Sequence, residues 1–423
     1  MKHSNRMLAA LCGGLIMLPW ISLAAPPDKA DAALSGFIRA VVDRNPRVEA
    51  ARAALDASDA RSDAASRPLY NPTLSFDAED TDVERTQTIG LSQTIDWADK
   101  RGARSDAAAF QREATLARYL SVRRDVIVKL LDGLARYRTG AERERLAAER
   151  VEAMNEFAEL AGRRFDAGDL SQVDLDLARI AASDARIQKA SAAAALAEAR
   201  QDVRSLVPNS PPDEWPGLDN TLPALPAQFE PEMLVMALPE VRAAQSQVDV
   251  ASAVVELRQR EKRPDPTIGI AGGKEGESNL IGINVTVPLF VRNSFSAEVS
   301  AAVADRREAM QIASDIRQRA YARVVSAAER YRAVYAAWQD WRAAGSESLE
   351  RQGDLVRRLW QSGEISTTDY LVQLRQTLDV RENALELRQS FWRAWFEWVN
   401  ASGQVDNWLN LQADVQPYKF PEN

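Results

Sequence analysis

The chain has 423 residues, of which 46% are hydrophobic and 27% are charged, and its 53 Lys and Arg residues face 61 Asp and Glu residues for a net charge of -8. This composition is typical of globular proteins and argues against a disordered chain, a collagen or a polytopic helical membrane protein. The acidic balance argues against nucleic acid as a partner, because nucleic-acid-binding surfaces are basic.

Residues 1–24 have the pattern of a secretory signal peptide. The basic residues Lys2 and Arg6 precede an apolar run over residues 7–23, and small residues stand before Ala25. That order predicts export and cleavage after Ala24. The apolar run is short for a membrane anchor that stays attached.

Cleavage would remove the only cysteine and the only histidine, Cys12 and His3. The mature chain would then lack a Ser-His-Asp or Cys-His nucleophile system and a zinc or copper site built from His or Cys. We therefore expect no catalytic residue, no cofactor and no selective metal site. Lipidation of Cys12 is not expected, because the bulky Leu11 stands where a lipoprotein signal has a small residue.

The rest of the chain contains an internal duplication. Four segments recur in the same order at an offset of about two hundred residues. The matched pairs are 45–48 with 238–241, 71–76 with 265–270, 88–91 with 280–283, and 163–171 with 358–366. Each half therefore predicts a helix, a strand, a turn, a strand, a very long helix, a tight turn and a long helix.

These patterns divide the chain into five parts. The first repeat covers 25–207, with strands at about 71–80 and 86–96 and long helices at 99–164 and 171–206. A proline-rich connector covers 208–230, since proline blocks regular helix. The second repeat covers 231–405, with strands at about 266–274 and 279–288 and long helices at 294–359 and 366–404. Residues 406–423 form a C-terminal tail.

The predicted helix lengths indicate the architecture. A helix of ~66 residues is ~99 Å long at 1.5 Å per residue, far beyond an ordinary globular helix. Such rods must pack as coiled-coil-like antiparallel hairpins with the helices that return after them. The return helix of the first half is only ~54 Å long. The shorter helices at 45–67 and 239–262 must therefore extend the return helices end to end, and the sequence leaves open which stacks on which.

The four strands have the length of tilted membrane-spanning β-strands and alternate in polarity. In the first hairpin, Leu74, Phe76 and Ala78 alternate with Ser75, Asp77 and Glu79; in the second, Ile281, Ile283, Val285 and Val287 alternate with Gly282, Asn284 and Thr286. Aromatic residues at the strand bases suit a membrane-interface girdle: Tyr70, Trp97, Phe290 and Phe295. An acidic segment, Asp77 to Glu84, would lie at the outer end as a solvated loop. A soluble antiparallel sheet with one solvated face fits the alternation equally well.

Four strands cannot close a barrel in lipid, because open edges leave backbone groups without hydrogen-bond partners. Strands of several subunits must therefore combine. Two copies would give eight strands with a filled lumen, whereas three would give twelve strands around an aqueous channel.

The duplicated pattern resembles the TolC-type outer-membrane factors, the outer membrane efflux protein family, over essentially the whole mature chain. Residues 92–104 are similar to the strand-to-helix junction of the CzcC-like heavy-metal cation efflux branch, where Gly-Gly-Lys-Arg is frequent; here Ala98 and Asp99 replace the two glycines. Residues 287–290 resemble the corresponding junction of the second half.

The resemblance implies a mainly α fold with a small β part. In it, duplicated helical hairpins form an α-barrel, and four transmembrane strands per subunit contribute to a 12-stranded barrel in a homotrimer. It also implies the outer membrane of a Gram-negative bacterium with a large periplasmic part, outer-membrane lipid, a periplasmic adaptor protein, and an inner-membrane pump of the resistance-nodulation-division type. The implied function is a passive exit duct of a tripartite efflux pump for metal cations or small toxic compounds.

Three alternatives stay open at this point. The chain could be the outer-membrane channel of a type I secretion system, a structural periplasmic coiled-coil protein, or a secreted hydrolase that uses paired carboxylates. The cargo, the cognate pump and adaptor, and the open state are not readable from the sequence.

The hairpin tips carry the candidate site residues. Gly168 and Gly363 permit tight reversals, and the pairs Ser171 with Asp174 and Ser366 with Asp369 fit helix capping boxes. The family resemblance implies that the tips meet the adaptor through Gly168, Leu170, Ser171, Gly363, Ile365 and Ser366. A ring of Asp169 and Asp174 around a narrow pore could form a cation-selective gate, although acids at a helix start also favour the helix dipole.

Overall fold

The first repeat consists of long helices and one β-hairpin. In a computed structural model, which describes residues 29–82, 84–207, 211–226 and 228–411, its elements are α1 (Ala32–Val42), α2 (Pro46–Ser66), β1 (Thr73–Asp80), β2 (Arg85–Thr94), α3 (Lys100–Asp166) and α4 (Gln172–Leu206). The signal peptide with Cys12 and His3, and residues 412–423 of the predicted tail, lie outside the described residues.

The second repeat follows the same order. Its elements are α5 (Pro231–Ala237), α6 (Pro239–Glu261), β3 (Thr267–Glu275), β4 (Ser278–Thr286), α7 (Ser296–Asp340), α8 (Ser346–Gln361), α9 (Thr367–Ala401) and α10 (Val405–Trp408). The prediction of a mainly helical chain with a small β part is therefore confirmed, and the four strands begin and end within two residues of the predicted bounds.

The prediction of one uninterrupted helix over 294–359 is wrong. A π-helical turn, Trp341–Gly345, separates α7 from α8. The ring of Trp341 lies against the backbone of Gly345, where an added Cβ would stand 2.3 Å from Trp341 Cε3. The wider i→i+5 turn makes room for the Trp341 ring over Gly345. Single π-helical turns of this kind occur within α-helices.

The C-terminal tail, predicted from residue 406, begins inside the core. Helix α9 ends at Ala401, and Gly403 adopts a φ of +72° that reverses the chain. Trp408 and Leu409 then return into the core and are buried. The short helices α1 and α5 were not predicted, although apolar residues at helical spacing mark α1 and a proline at the first position marks α5.

The stacking that the sequence left open is given by the contacts of α3. Helix α2 packs on the upper part of α3, where Arg112 pairs with Asp59, and α4 packs on the lower part, where the backbone of Leu196 lies against Gly140. Helices α6 and α9 likewise follow one another along α3, and both also contact α7. Helix α2 therefore extends α4, and α6 extends α9.

The four strands form one antiparallel sheet in the order β1-β2-β3-β4. Strand β2 pairs with β3 across the two repeats, from Thr94 opposite Thr267 to Thr86 opposite Glu275. The helices below follow the same order, because α2 leads into β1, β2 leads into α3, α6 leads into β3 and β4 leads into α7. The lateral order of the strands in the sheet is thus the same as the lateral order of the helices below it.

An aromatic core lies midway along the helices, where the connector crosses them. Tyr331, Trp338 and Trp392 reach the connector with side-chain hydrogen bonds to the carbonyl oxygens of Pro223 (2.8 Å), Asn220 (3.1 Å) and Asp219 (2.7 Å) respectively. Burial raises the pKa of the Tyr331 hydroxyl well above its usual value, which keeps it protonated as a donor. These hydrogen bonds fix the predicted irregular connector to the second repeat, and Arg138 of α3 fixes it to the first by donating a 3.3 Å hydrogen bond to the carbonyl oxygen of Pro216.

Candidate functional site: the sheet face, its base and the hairpin tips

One face of the sheet is apolar and uncovered. The register aligns Leu74 with Leu91, Leu91 with Ile270, and Ile270 with Ile283, so the alternating apolar residues of all four strands share one side. These side chains are exposed, up to 88% for Ile281. The opposite face carries mostly threonine, serine, glycine and acidic residues. A contiguous exposed apolar surface of this extent indicates contact with lipid or with another protein.

Both edges of the sheet are open. In the part of the chain that the structure describes, no strand pairs with the outer side of β1 or of β4. Each edge therefore presents a row of backbone donors and acceptors that can pair with another chain. Because β1 and β4 run in opposite directions, pairing β4 of one copy with β1 of the next would continue the antiparallel order.

The predicted girdle aromatics lie at one end of the sheet, because the strand bases are in register there. Trp97 is 63% exposed, whereas Phe290 and Phe295 are half-buried and contact each other with ring centroids 4.9 Å apart. The hydroxyl of Tyr70 does not face solvent freely, since it donates a 2.7 Å hydrogen bond to Asp265 Oδ2. The four aromatics thus lie at the same end of the sheet but have different environments.

Asp265 is the centre of a buried junction that the sequence did not reveal. The ammonium of Lys100, in the first turn of α3, lies 2.9 Å from Asp265 Oδ2, and both side chains are nearly inaccessible to solvent. The hydrogen bond to Asp265, with desolvation and the nearby carboxylates, raises the pKa of Tyr70 to about 12. The junction joins the start of β3 to both ends of the first hairpin. No pattern in the sequence pairs these three residues, because their contact is set only by the packing of the repeats.

Asp99, one of the two junction residues that replace glycines, keeps a glycine-like backbone. Asp99 adopts a φ of +52° and accepts a hydrogen bond from the Gly102 N–H, and Asp96 accepts from the N–H groups of Lys100 and Arg101 at 2.8 and 2.7 Å. Aspartate is among the residues that tolerate the left-handed region, where glycine is most at ease. Phe295 holds the same left-handed position before α7, with a φ of +54°.

The two hairpin tips share one turn geometry. Gly168 and Gly363 have φ values of +84° and +77°. At the first tip, the Gly168 N–H donates to Phe165 O (2.9 Å) and the Asp169 N–H donates to Arg164 O (2.8 Å), and the second tip repeats both hydrogen bonds at 3.1 and 2.9 Å. This pattern is the Schellman motif, which needs a residue that accepts the left-handed conformation.

The capping residues act immediately after these turns. Ser171 Oγ accepts a 3.2 Å hydrogen bond from the Asp174 N–H and donates a 2.6 Å hydrogen bond to the Asp174 carboxylate, and Ser366 with Asp369 does the same at 3.1 and 2.6 Å. The acid therefore returns to the serine hydroxyl, whereas in a reciprocal capping box it would return to the serine N–H. Leu170 and Ile365 are half-buried against the core below the tips.

An aromatic cluster that no sequence pattern revealed holds the two tips together. The rings of Trp360 and Tyr370 are stacked with centroids 4.1 Å apart, and Phe157 of the first hairpin packs against both at 5.4 and 5.8 Å. Burial raises the pKa of Tyr370. The helical spacing of these residues could have placed them on core faces, but not against each other.

Helix α4 carries an uncovered apolar stripe. Val173, Ile180 and Ile187 stand seven residues apart, on the side opposite the seam that α4 buries against α3, and all three are exposed. A heptad spacing of this kind places the three side chains in one line along the helix. The stripe lies at one lateral edge of the molecule, and α7 with α8 forms the other.

The described residues contain neither a metal-binding cluster nor a membrane-spanning helix. Among the described residues, no three or more His, Cys, Asp or Glu side chains are grouped so that they could hold a metal ion. The helices within the described ranges are all too short or too polar to cross a membrane.

The chain is similar to known proteins in sequence and in fold. Residues 37–208 match the model of the family described as outer membrane efflux protein. The cobalt-zinc-cadmium resistance protein CzcC of Cupriavidus metallidurans is 30% identical over 258 residues, which are 59% of this chain and 62% of that protein. The match therefore spans less than two thirds of the relative's length.

Solved structures share the fold at low sequence identity. A membrane protein from Pseudomonas aeruginosa is 17% identical with a TM-score of 0.74, over 89% of this chain and 95% of that one. The CmeC outer membrane channel of Campylobacter jejuni is 16% identical with a TM-score of 0.73, over 95% and 94%. The chain is thus similar to outer membrane efflux proteins in the sequence of residues 37–208, and its fold is that of solved outer-membrane channels.

Proposed function

We propose that the protein is the outer-membrane exit duct of a tripartite efflux pump, through which cargo passes passively from the periplasm to the outside. The observation that carries this proposal is the exposed apolar sheet face with two open edges, set on two long helical hairpins. An aqueous β-barrel turns an apolar face to lipid and a polar face to its lumen, and the two faces of this sheet have that division. A duct needs no catalytic residue, and the proposal includes none.

The duct is a homotrimer in this proposal. Three copies supply twelve strands, enough for a water-filled lumen, and β4 of each copy pairs with β1 of the next. Closing the sheet in this way brings the column of α2 and α4 of one copy beside α7 and α8 of its neighbour, since the helices follow the strand order. The stripe Val173, Ile180 and Ile187 then becomes buried between subunits, which accounts for apolar residues on an exposed helix face.

We propose divalent metal cations as the cargo. The support is the 30% identity to a protein named for resistance to cobalt, zinc and cadmium. The duct would contribute no selective metal site of its own, because the mature chain lacks His and Cys; metal choice would then belong to the inner-membrane pump of the resistance-nodulation-division type. A type I secretion channel is the second candidate, since it uses the same kind of duct.

The hairpin tips are the proposed docking site for the periplasmic adaptor. The two tips have matching Schellman turns, and an added Cβ at Gly168 or Gly363 would meet no atom within 4 Å. Substitution there changes the backbone and the outer surface without a clash inside the subunit. We expect Gly168→Val with Gly363→Val to abolish metal export by the reconstituted pump while the trimer still forms, because valine disfavours a positive φ. Cellular metal accumulation and crosslinking to the adaptor measure this.

Gly168→Asn with Gly363→Asn is the matched control, since asparagine tolerates the left-handed conformation. It should keep most of the export, because the turn survives. Full export by the valine variant would remove the tips from the docking site. If the valine and asparagine variants lost export equally, the loss would be caused by any side chain added to the surface of the tips and not by the change in turn geometry.

Of the two predicted gate residues at the tips, Asp169 and Asp174, we retain only Asp169 in the proposed gate. Asp174 is engaged as the partner of Ser171, whereas Asp169 is exposed and its carboxylate has no hydrogen bond among the described contacts. Three copies of Asp169 would form a carboxylate ring that favours cations. Asp169→Asn should lower the cation preference of the channel in planar bilayers, and Asp166→Asn, three residues earlier, is the control. Unchanged selectivity after Asp169→Asn would exclude this ring.

A further inference from the structure

Four exposed cations stand at the base of the sheet without an ion-pair partner in the described part of the chain. Lys262 and Arg263 precede β3, Arg101 lies in the first turn of α3, and Arg292 follows β4. The strand bases are in register, with Thr73 opposite Ser92 and Thr267 opposite both Thr94 and Thr286. The four residues therefore all lie at this end of the sheet, and we call them the basic collar.

Five acids at this level are already paired with other cations. Asp265 pairs with Lys100, Asp99 and Glu256 pair with Arg260, Glu261 pairs with Arg258, and Asp63 pairs with Arg67. Asp96 accepts the N–H groups that begin α3. None of these ion pairs includes a collar residue, so within the described residues the collar is a local group of unpaired positive charges on a chain whose net charge is -8.

The other end of the sheet has the opposite charge. Seven acids lie in and beside the outer ends of the strands, against two basic residues, Arg85 and Lys274; the acids are Asp77, Glu79, Asp80, Asp82, Glu84, Glu275 and Glu277. The exposed apolar face therefore lies between a basic rim and an acidic rim. Exposed Trp97, Leu289 and Val291 accompany the basic rim, which is the composition of a surface at the boundary between acyl chains and head groups.

We propose that the basic collar binds the phosphate groups of anionic phospholipids in the periplasmic leaflet of the outer membrane. This inference rests on the proposed function, since it requires the apolar face to lie in a bilayer. Clusters of four or more Lys and Arg beside a membrane-embedded segment attract anionic head groups, and the acidic outer rim would repel them. The collar would thereby fix the depth and the orientation of the duct in the membrane.

The test compares two quadruple variants of the full-length protein in vesicles that contain phosphatidylglycerol and phosphatidylcholine. The collar variant is Arg101→Gln, Lys262→Gln, Arg263→Gln and Arg292→Gln. The control variant changes four exposed arginines on α2 and α7: Arg47→Gln, Arg52→Gln, Arg307→Gln and Arg317→Gln. Phosphatidylglycerol retained on the detergent-extracted oligomer is measured by native mass spectrometry, and single-channel conductance is recorded in neutral bilayers.

We expect the collar variant to lose its preference for phosphatidylglycerol by at least about tenfold, whereas the control variant keeps it and both variants conduct. Displacement of the lipid by millimolar inorganic phosphate would contradict the proposal, because it would indicate a site for small anions. A collar variant that keeps its lipid and changes ion selectivity would also contradict it, because the cations would then face the lumen. A wild-type protein that conducts without lipid preference overturns only this inference, whereas one that does not conduct overturns the proposed function.

Discussion

Replacing Gly273 with alanine is expected to prevent assembly of the proposed duct, whereas the same replacement of Gly282 is expected to leave it intact. A Cβ at Gly273 would lie 2.0 Å from the carbonyl oxygen of Gln87 and 2.8 Å from the Cα of Thr88. Both are backbone atoms of β2, so the clash can be relieved only by opening the ladder between β2 and β3. That ladder is where the sheet halves of the two repeats meet.

Gly282 makes a matched control. It lies in β4 opposite Ala271, on the same polar face of the sheet, and an added Cβ would meet no atom within 4 Å. Both substitutions add one methyl group and lower the entropy of the unfolded chain equally, so their difference reports the clash alone. Overpacking of a close-packed position costs about 1–3 kcal/mol or more. The fraction of protein recovered as a heat-resistant oligomer from the membrane measures the effect. Equal recovery of the two variants would contradict the strand register.

Loss of the Lys100 charge is expected to have the second large effect. The side chains of Lys100 and Asp265 are only 11% and 4% accessible to solvent. Lys100→Met leaves the Asp265 carboxylate buried without its cation, and breaking a buried pair in this way costs about 3–5 kcal/mol. The reason is the desolvation of the remaining charge, which the hydrogen bond from Tyr70 offsets only in part. The shift in the denaturation midpoint of the purified protein measures this loss.

A double variant separates this cause from simple damage to packing. Lys100→Met with Asp265→Leu removes both charges and should recover most of the lost stability, since an apolar replacement of a buried ion pair is often neutral. The exposed pair of Arg319 with Asp315 serves as a control, and Arg319→Met should change stability by less than about 1 kcal/mol. A double variant as unstable as Lys100→Met would show that shape, and not charge, controls the junction.

The sequence predicted the elements well where a local pattern repeats. Alternating polarity predicted the four strands, and glycine and serine at matching positions of the two repeats predicted the turns at the tips. Both signals depend only on residues close together in the chain. The order in which α2 and α6 extend α4 and α9 was not predictable, since each helix offers an apolar face that fits more than one partner.

The residues that sequence reasoning missed are those joined by tertiary contact. Asp265, Lys100 and Tyr70 are far apart in the chain and show no common spacing, and the stack of Trp360 on Tyr370 spans a turn between two helices. The π-helical turn at Trp341 was missed because the apolar residues of α7 and of α8 each keep ordinary α-helical spacing on either side of it. The contact of the Trp341 ring with Gly345 leaves no mark in that spacing. Local propensity carries no information on such contacts.

The most direct test of the duct is the copy number and conductance of the protein extracted from outer membranes with mild detergent. Native mass spectrometry should give three copies of the mature chain, because three sheets of four strands close a barrel with an aqueous lumen. The same preparation should form ion-conducting channels in planar bilayers. A stable water-soluble monomer, or a dimer that does not conduct, would contradict the account and favour a structural periplasmic coiled-coil protein.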